Sequence, residues 1–449
     1  MKSTISITEG SIIKPLLLFF FPILFGTFFQ QLYNTVDALV VGNFIGKEAL
    51  AAVGGTTAVY INLFVGFFVG LSSGAAVLIS QFYGSREYSN ISKTVHTSIF
   101  LGVFMGLGVS IIAITTSRPI LSFLNVPIEI IYMALDYIYI YFAGFPFMLI
   151  YNMGCSILRA IGDSKRPVYF LIVSCIVNII LDIVFVCIFN FGIKGAAFAT
   201  IIAQFISMTL ILYSLSTGLD VVRFDYRKII FDSDIALKII KIGLPTGIQS
   251  VLYTISNLII SSKINAFGVD AIAANTSFEK IDAIFWMINQ ALGISITTFV
   301  GQNFGANNHK RIKQGVNRWL VFGIVMALII STGIYLAAPY LFAIFNQDIN
   351  VINIGIEIVH IIAPFWFIYI PVEIIAGSLR GMGDTFYPTL FTALGIVAVR
   401  VAWFSLLDTN TLFLVFVIYP ITWIITALTF SIYYYSGLYK HNIKLYTNK

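Results

Sequence analysis

Apolar stretches of about 20 residues or more recur twelve times in this chain, at roughly 15–41, 55–83, 94–116, 130–154, 167–189, 195–216, 240–263, 276–302, 316–338, 355–378, 387–407 and 411–435. Nothing else constrains the fold as strongly. A stretch of that length crosses a bilayer as a helix, because a helix satisfies every backbone N–H and C=O within the lipid. The composition agrees, with 59% hydrophobic and 10% charged residues in 449. A soluble domain carries about 25% charged residues. The chain therefore reads as an all-α integral membrane protein of twelve transmembrane helices. The first stretch does not read as a cleavable signal, since its second half is polar and no small-residue cleavage site follows.

An even number of spans puts both termini on one side. One set of loops and tails holds twenty Lys and Arg, among them Lys2, Lys14, Arg86, Lys165, Lys310, Lys440, Lys444 and Lys449. The other holds Lys47, Arg118, Lys194 and Lys263 only. The positive-inside rule then makes the termini cytoplasmic, and the expected location is the plasma membrane. The polar stretch at the centre of the chain reads as a linker. The division is a first lobe at 1–218, a cytoplasmic linker at 219–239 and a second lobe at 240–449.

The halves repeat at a constant offset of 221 residues. Ser80-Gln81-Phe82-Tyr83-Gly84 resembles Gly301-Gln302-Asn303-Phe304-Gly305. Leu158-Arg159-Ala160-Ile161-Gly162-Asp163 resembles Leu379-Arg380-Gly381-Met382-Gly383-Asp384. Six spans per half makes the two run in the same sense, as two parallel six-helix lobes related by a pseudo-two-fold axis along the membrane normal. The Arg-x-x-Gly-Asp turns suit helix ends, with Gly and Asp stopping one helix and Pro starting the next. A gating role is the alternative.

Polar residues inside the spans fall into stripes. In span one Gln30, Tyr33, Asn34 and Asp37 share a helix face. Asp37 is an ionisable residue within a span, a functional site by default; a solvated helix end is the alternative. Span five carries Ser174, Asn178 and Asp182, and span six Thr200, Gln204 and Ser207, each on one face. Counted along the helices at about 1.5 Å per residue, Asp37, Asp182 and Thr200 reach the same outer half of the first lobe. Two carboxylates with an amide and a hydroxyl make an all-oxygen set. It suits Na⁺ as a hard cation, or a proton shared between neighbouring carboxylates. The second half lacks this stripe, because the offset lands on Val399 and Trp403. Its spans carry Glu279, Lys280, Asp282, Glu357, Glu373 and Arg400 instead. They read either as a buried charge network, with Arg400 neutralised by a nearby acid, or as a substrate-facing acid, foremost Glu373.

Several classes are excluded. No basic domain serves a nucleic acid. Cys155, Cys175 and Cys187 show no metal spacing, and no His-Cys-acid cluster suggests an enzyme or a bound cofactor.

Gln30-Gln31-Leu32-Tyr33-Asn34-Thr35-Val36-Asp37, the following Gly42-Asn43-Phe44-Ile45-Gly46, the Gln-x-x-Gly turns after spans two and eight, and Asn178-x-x-x-Asp182 together resemble the multidrug and toxic compound extrusion (MATE) family over the full length. The resemblance implies a prokaryotic-type efflux antiporter, acting as a monomer. It would export organic, often cationic and lipophilic compounds against Na⁺ or H⁺ from a cavity between two lobes. It carries the cation-coupling role onto Asp37, Asn178, Asp182 and Thr200. Gln30, Tyr33, Asn34, Glu279, Asp282, Glu373 and Arg400 remain candidates for the substrate cavity or a buried charge network. One group of the family uses an acid in span seven, and this chain has none there. A lipid or lipid-linked oligosaccharide flippase of the same superfamily is the alternative. Its anionic cargo would call for several cavity Lys or Arg, and only Lys280 and Arg400 lie within spans.

Overall fold

In the computed structural model, residues 7–123, 126–218, 222–227 and 230–440 are described, and every long regular element among them is a helix. Lys2, Lys228, Lys444 and Lys449, part of the charge bias, lie outside the described residues.

Eleven single helices have membrane-crossing length and apolarity: α1 (Ile13–Ile45), α2 (Lys47–Ser85), α3 (Tyr88–Phe123), α5 (Lys165–Ile188), α6 (Gly192–Thr217), α7 (Ser233–Asn265), α8 (Val269–Gly305), α9 (His309–Phe345), α10 (Ile349–Gly381), α11 (Phe386–Leu406) and α12 (Leu412–Ser436). The twelfth, α4, is a pair bent by 48°, Ile130–Ala143 and Phe145–Ala160. The bend falls at Gly144, whose missing Cβ would stand 2.4 Å from Cγ2 of Ile201. A side chain there would hold α4 and α6 apart. Pro146 follows in the first turn of the second segment, where its missing N–H costs nothing.

Packing groups Phe21–Gly247 as one unit and Ile7–Phe20 with Ile248 onward as another. In the first unit the start of α7 meets α2 through two glycine pairs, Gly70/Gly74 and Gly243/Gly247. A Cβ on Gly74 would lie 2.2 Å from the Ile239 carbonyl oxygen, and one on Gly243 2.3 Å from that of Leu71. Lipid gives helices no hydrophobic reason to associate, so close backbone approach through small residues is a main source of attraction. Linker residues dock on α3: the Asp225 N–H donates to Nε2 of His96 at 3.1 Å, while Nδ1–H of His96 donates to the Ser92 carbonyl at 2.8 Å.

In the second unit Arg311, at the start of α9, gathers the residues before α1. Its guanidinium donates to the carbonyl oxygens of Ile7 (3.1 and 3.2 Å), Glu9 (3.0 Å), Gly10 (2.8 Å) and Ser11 (3.0 Å). The Phe299 ring lies under its Cζ at 5.7 Å.

The repeat is carried bond for bond. After α2, Arg86 N–H donates to Tyr83 O and Glu87 N–H to Phe82 O, with φ 62° at Arg86. After α8, Asn307 N–H donates to Phe304 O and Asn308 N–H to Asn303 O, with φ 56° at Asn307. Gly162 and Gly383 both adopt φ 93°. Asp163 N–H then closes on Leu158 O at 3.0 Å, as Asp384 N–H does on Leu379 O at 2.9 Å. The hydroxyl of Ser110 donates to Phe142 O at 2.6 Å, as that of Ser331 does to Ala363 O at 2.5 Å. The Arg-x-x-Gly-Asp turns are thus helix stops of left-handed-glycine type.

Candidate functional site

In the first unit Asp37 and Asp182 stand 8% and 0% exposed, on α1 and α5. Their carboxyl groups are within hydrogen-bonding reach of one another, a contact that a proton between them completes. Asn178, one turn before Asp182 on the same face, is fully buried. Neither atom of its amide has a partner, nor has either oxygen of Asp182, Oδ1 of Asp37 or Oε1 of Gln204. Buried polar atoms are nearly always bonded, so this many unsatisfied oxygens together mark a site built for something other than the protein's own donors. No Lys or Arg comes within 4 Å of either acid among the described residues.

Thr200, on α6, is 2% exposed and its hydroxyl donates to the Ala196 carbonyl at 3.0 Å. The phenols of Tyr33 and Tyr137 lie in the neighbourhood of Thr200. The Tyr141 hydroxyl lies 3.9 Å from Sδ of Met148, with Gln204 nearby. Tyr137 and Tyr141 stand one turn apart on α4 and went unmarked in the sequence. The signal that could have found them is their spacing of four, which puts two hydroxyls on the face turned to α6. Gln30 and Asn34 are exposed, and no bond joins them to this group. Close in sequence to Asp37 and Thr200, Val40, Val41, Ala196 and Ala197 belong to the buried apolar core of this unit.

The helices change winding beside both acids. A π-helical turn, Val41–Ile45, ends α1 just beyond Asp37, and another, Ile183–Ile188, begins immediately after Asp182. The two turns touch. Such wide turns, rare elsewhere, gather at functional sites.

The second unit is arranged differently. Glu373 is taken by Arg380, whose Nη2 donates to Oε1 at 2.7 Å. Gly293 makes the room, since a Cβ there would lie 2.0 Å from that oxygen. Arg400 departs from the expected acid partner. It is 2% exposed, and no carboxylate lies within 4 Å among the described residues. Its Nη1 donates to Ser256 Oγ (2.9 Å) and Asn257 Oδ1 (3.1 Å), and its Cζ sits 4.5 Å over the Tyr419 ring. Neutral acceptors and a ring face can hold a guanidinium because it is weakly hydrated and planar. Asp282 Oδ2 accepts from Trp286 Nε1 at 2.7 Å, while its Oδ1 is buried and unpartnered. Glu279 is exposed and accepts from Asn275 at 2.9 Å. Glu357 is exposed on α10.

Repeated halves of membrane-length helices, with a buried, unsatisfied carboxyl pair inside the first unit, define a polytopic membrane protein of transporter type. Comparison with known proteins makes the class specific. The MatE family profile matches residues 22–184 and 245–404. The "Probable multidrug resistance protein YoeA" of Bacillus subtilis (strain 168) is 28% identical over 88% of this chain and 86% of its own length. The "FAD transporter" of Shewanella oneidensis is 23% identical over 79% of this chain and 78% of its own. A solved outward-facing multidrug resistance MATE transporter of the MOP superfamily superposes with a TM-score of 0.90 at 20% identity, over 99% of each chain. The chain belongs to the MATE family of multidrug efflux transporters, with its twelve-helix, two-lobe fold.

Proposed function

We propose that this protein is a secondary active exporter of organic, cationic and lipophilic compounds. It works by alternating access, driven by a cation that enters the Asp37–Asp182 site from the energised side of the plasma membrane. The termini are cytoplasmic in this reading, on the strength of the charge bias. The carrying observation is the buried contact between two carboxyls with no basic side chain beside them. Two such groups cannot both ionise without a counter-charge. One arriving cation relieves the repulsion. It shifts the protein's conformational balance only as far as it binds the two states unequally. Asn178 and Thr200 supply neutral oxygens to the same ion. Either H⁺ or Na⁺ meets that need, and the coupling ion is the one whose gradient drives export.

The test is transport in proteoliposomes with pH and Na⁺ gradients imposed separately. Export should follow one of the two gradients and fall at least tenfold in Asp37→Asn and Asp182→Asn, with expression near normal. Full gradient-driven export by the double variant would remove this site from the coupling.

A further inference from the structure

We propose that Asp282 is the residue of the second unit that recognises the positive charge of the cargo. The inference rests on the cationic-cargo reading above and assigns it to one side chain. A lipophilic cation needs a carboxylate not already neutralised, set among ring faces. The acids within the spans of this unit can be sorted by what they already hold. Glu373 is closed by Arg380 at 2.7 Å. Glu357 stands exposed on α10, and Glu279 is exposed beside Lys280 and bonded to Asn275. Asp282 alone combines a buried, unpartnered oxygen with no Lys or Arg within 4 Å among the described residues.

Its surroundings are aromatic and oriented. Trp286, one turn on, donates to Oδ2 at 2.7 Å and fixes the carboxyl plane. The Trp366 N–H, wholly buried and unpartnered, faces the same carboxyl. Trp366 is itself locked by parallel stacking on Phe285, at 5.0 Å and 4°. Trp286 meets Tyr369 edge-on at 4.9 Å, and Tyr419 meets Trp423 edge-on at 5.8 Å. Arg400 would be the natural counter-ion. It is instead held against the Tyr419 ring and bonded to Ser256 and Asn257. The result is a carboxylate kept short of its own cation in an aromatic surrounding.

The experiment uses a pair of probes matched in size and opposite in charge, tetraphenylphosphonium and tetraphenylborate. Equilibrium binding is measured to the purified full-length protein in detergent, with a melting temperature for every variant. Wild type should prefer the phosphonium. Asp282→Asn should weaken phosphonium binding at least tenfold and leave the borate unchanged or tighter. Asp282→Glu should keep the preference, and Glu357→Gln, which removes a charge elsewhere in the same unit, should not alter it. Trp286→Phe provides a second route should the amide variant fail to assemble; it should cost the phosphonium severalfold and the borate nothing. A wild type that prefers the phosphonium, with both Asp282→Asn and Trp286→Phe keeping that preference, overturns the assignment alone. A wild type without the preference overturns the cationic-cargo reading and this assignment with it.

Discussion

At the scale of single residues, the pattern of unsatisfied oxygens sets the order of effects. Asp37 and Asp182 each bring charge to the ion, whereas Asn178 and Thr200 each bring one neutral oxygen. Asn178→Ala and Thr200→Ala should therefore slow gradient-driven export about three- to tenfold, less than loss of either acid, as a neutral hydrogen bond is worth about 1 kcal/mol. Initial rates in the same proteoliposomes check this ranking. Arg400 makes a different prediction. Arg400→Ala takes the donor from Ser256, which is fully buried, and from Asn257, which is exposed, and should cost about 1.5–3 kcal/mol, the worth of a hydrogen bond to a charged group. Arg400→Lys should recover only part, because an ammonium lacks the planar fork. An unchanged melting temperature in Arg400→Ala would refute that account. The acids of the first unit were legible because a carboxylate in an apolar stretch is costly and stands out. The phenols of Tyr137 and Tyr141 were not, since an aromatic residue in a membrane helix reads equally as packing. The Glu373–Arg380 pair was hidden because Arg380 was counted as a loop charge, although seven residues place both on one helix face.

At the scale of elements, the glycine pairs and the helix starts carry the testable content. Gly74→Ala and Gly243→Ala should each lower folded yield and melting temperature, because the added carbon meets a carbonyl oxygen at 2.2 and 2.3 Å. Gly108→Ala, with nothing within 4 Å, should be neutral or stabilising. Equal behaviour of the three would deny the close approach of α2 and α7. The start of α7 depends on Asp232, whose Oδ1 accepts the N–H groups of Asp234 and Ile235 at 3.1 Å each and whose Oδ2 lies 3.5 Å from Lys93. The Ile235 N–H foremost, with Lys93 behind it, holds this carboxyl below its ordinary value. A depressed carboxyl contributes stability above its unfolded pKa, and that contribution is lost as pH falls through the folded one. The first turn of α7 should therefore stay protected at neutral pH and loosen below about pH 4, read as amide exchange at Asp234 and Ile235. Asp232→Ala should exchange fast at every pH. The π turns after Asp37 and Asp182 had no sequence signal, since the apolar residues that form them suit an ordinary helix as well.

At the scale of the whole molecule, the spans were legible because lipid offers a backbone no hydrogen-bond partner and leaves helix as the only solution. The repeat was legible for a second reason. Turns need particular residues, so the matching Gln-x-x-Gly and Arg-x-x-Gly-Asp segments mark matching geometry. Asn307 and Arg86 adopt the same left-handed conformation though their side chains differ. What the repeat conceals is its own asymmetry, with an acid pair in one unit and an aromatic-walled Asp282 in the other. Orientation is testable directly. Cysteines placed at Lys165 and Lys310 should react with an impermeant thiol reagent only from the cytoplasm, and one at Lys47 only from outside. Labelling of position 47 from within would reverse the topology.

Arg311 holds the chain ahead of α1 by four peptide oxygens, in the manner of a crown ether around its guest. Every residue type owns such an oxygen, and the side chains of Glu9 and Ser11 point to solvent. The receptor is thus indifferent to spelling and strict about count. Mutational drift at Glu9 and Ser11 is silent, whereas Gly10, with a φ of 68°, favours glycine and Ile7 is a buried side chain, while one residue gained or lost between Ile7 and Ser11 throws the ring out of step with its guest.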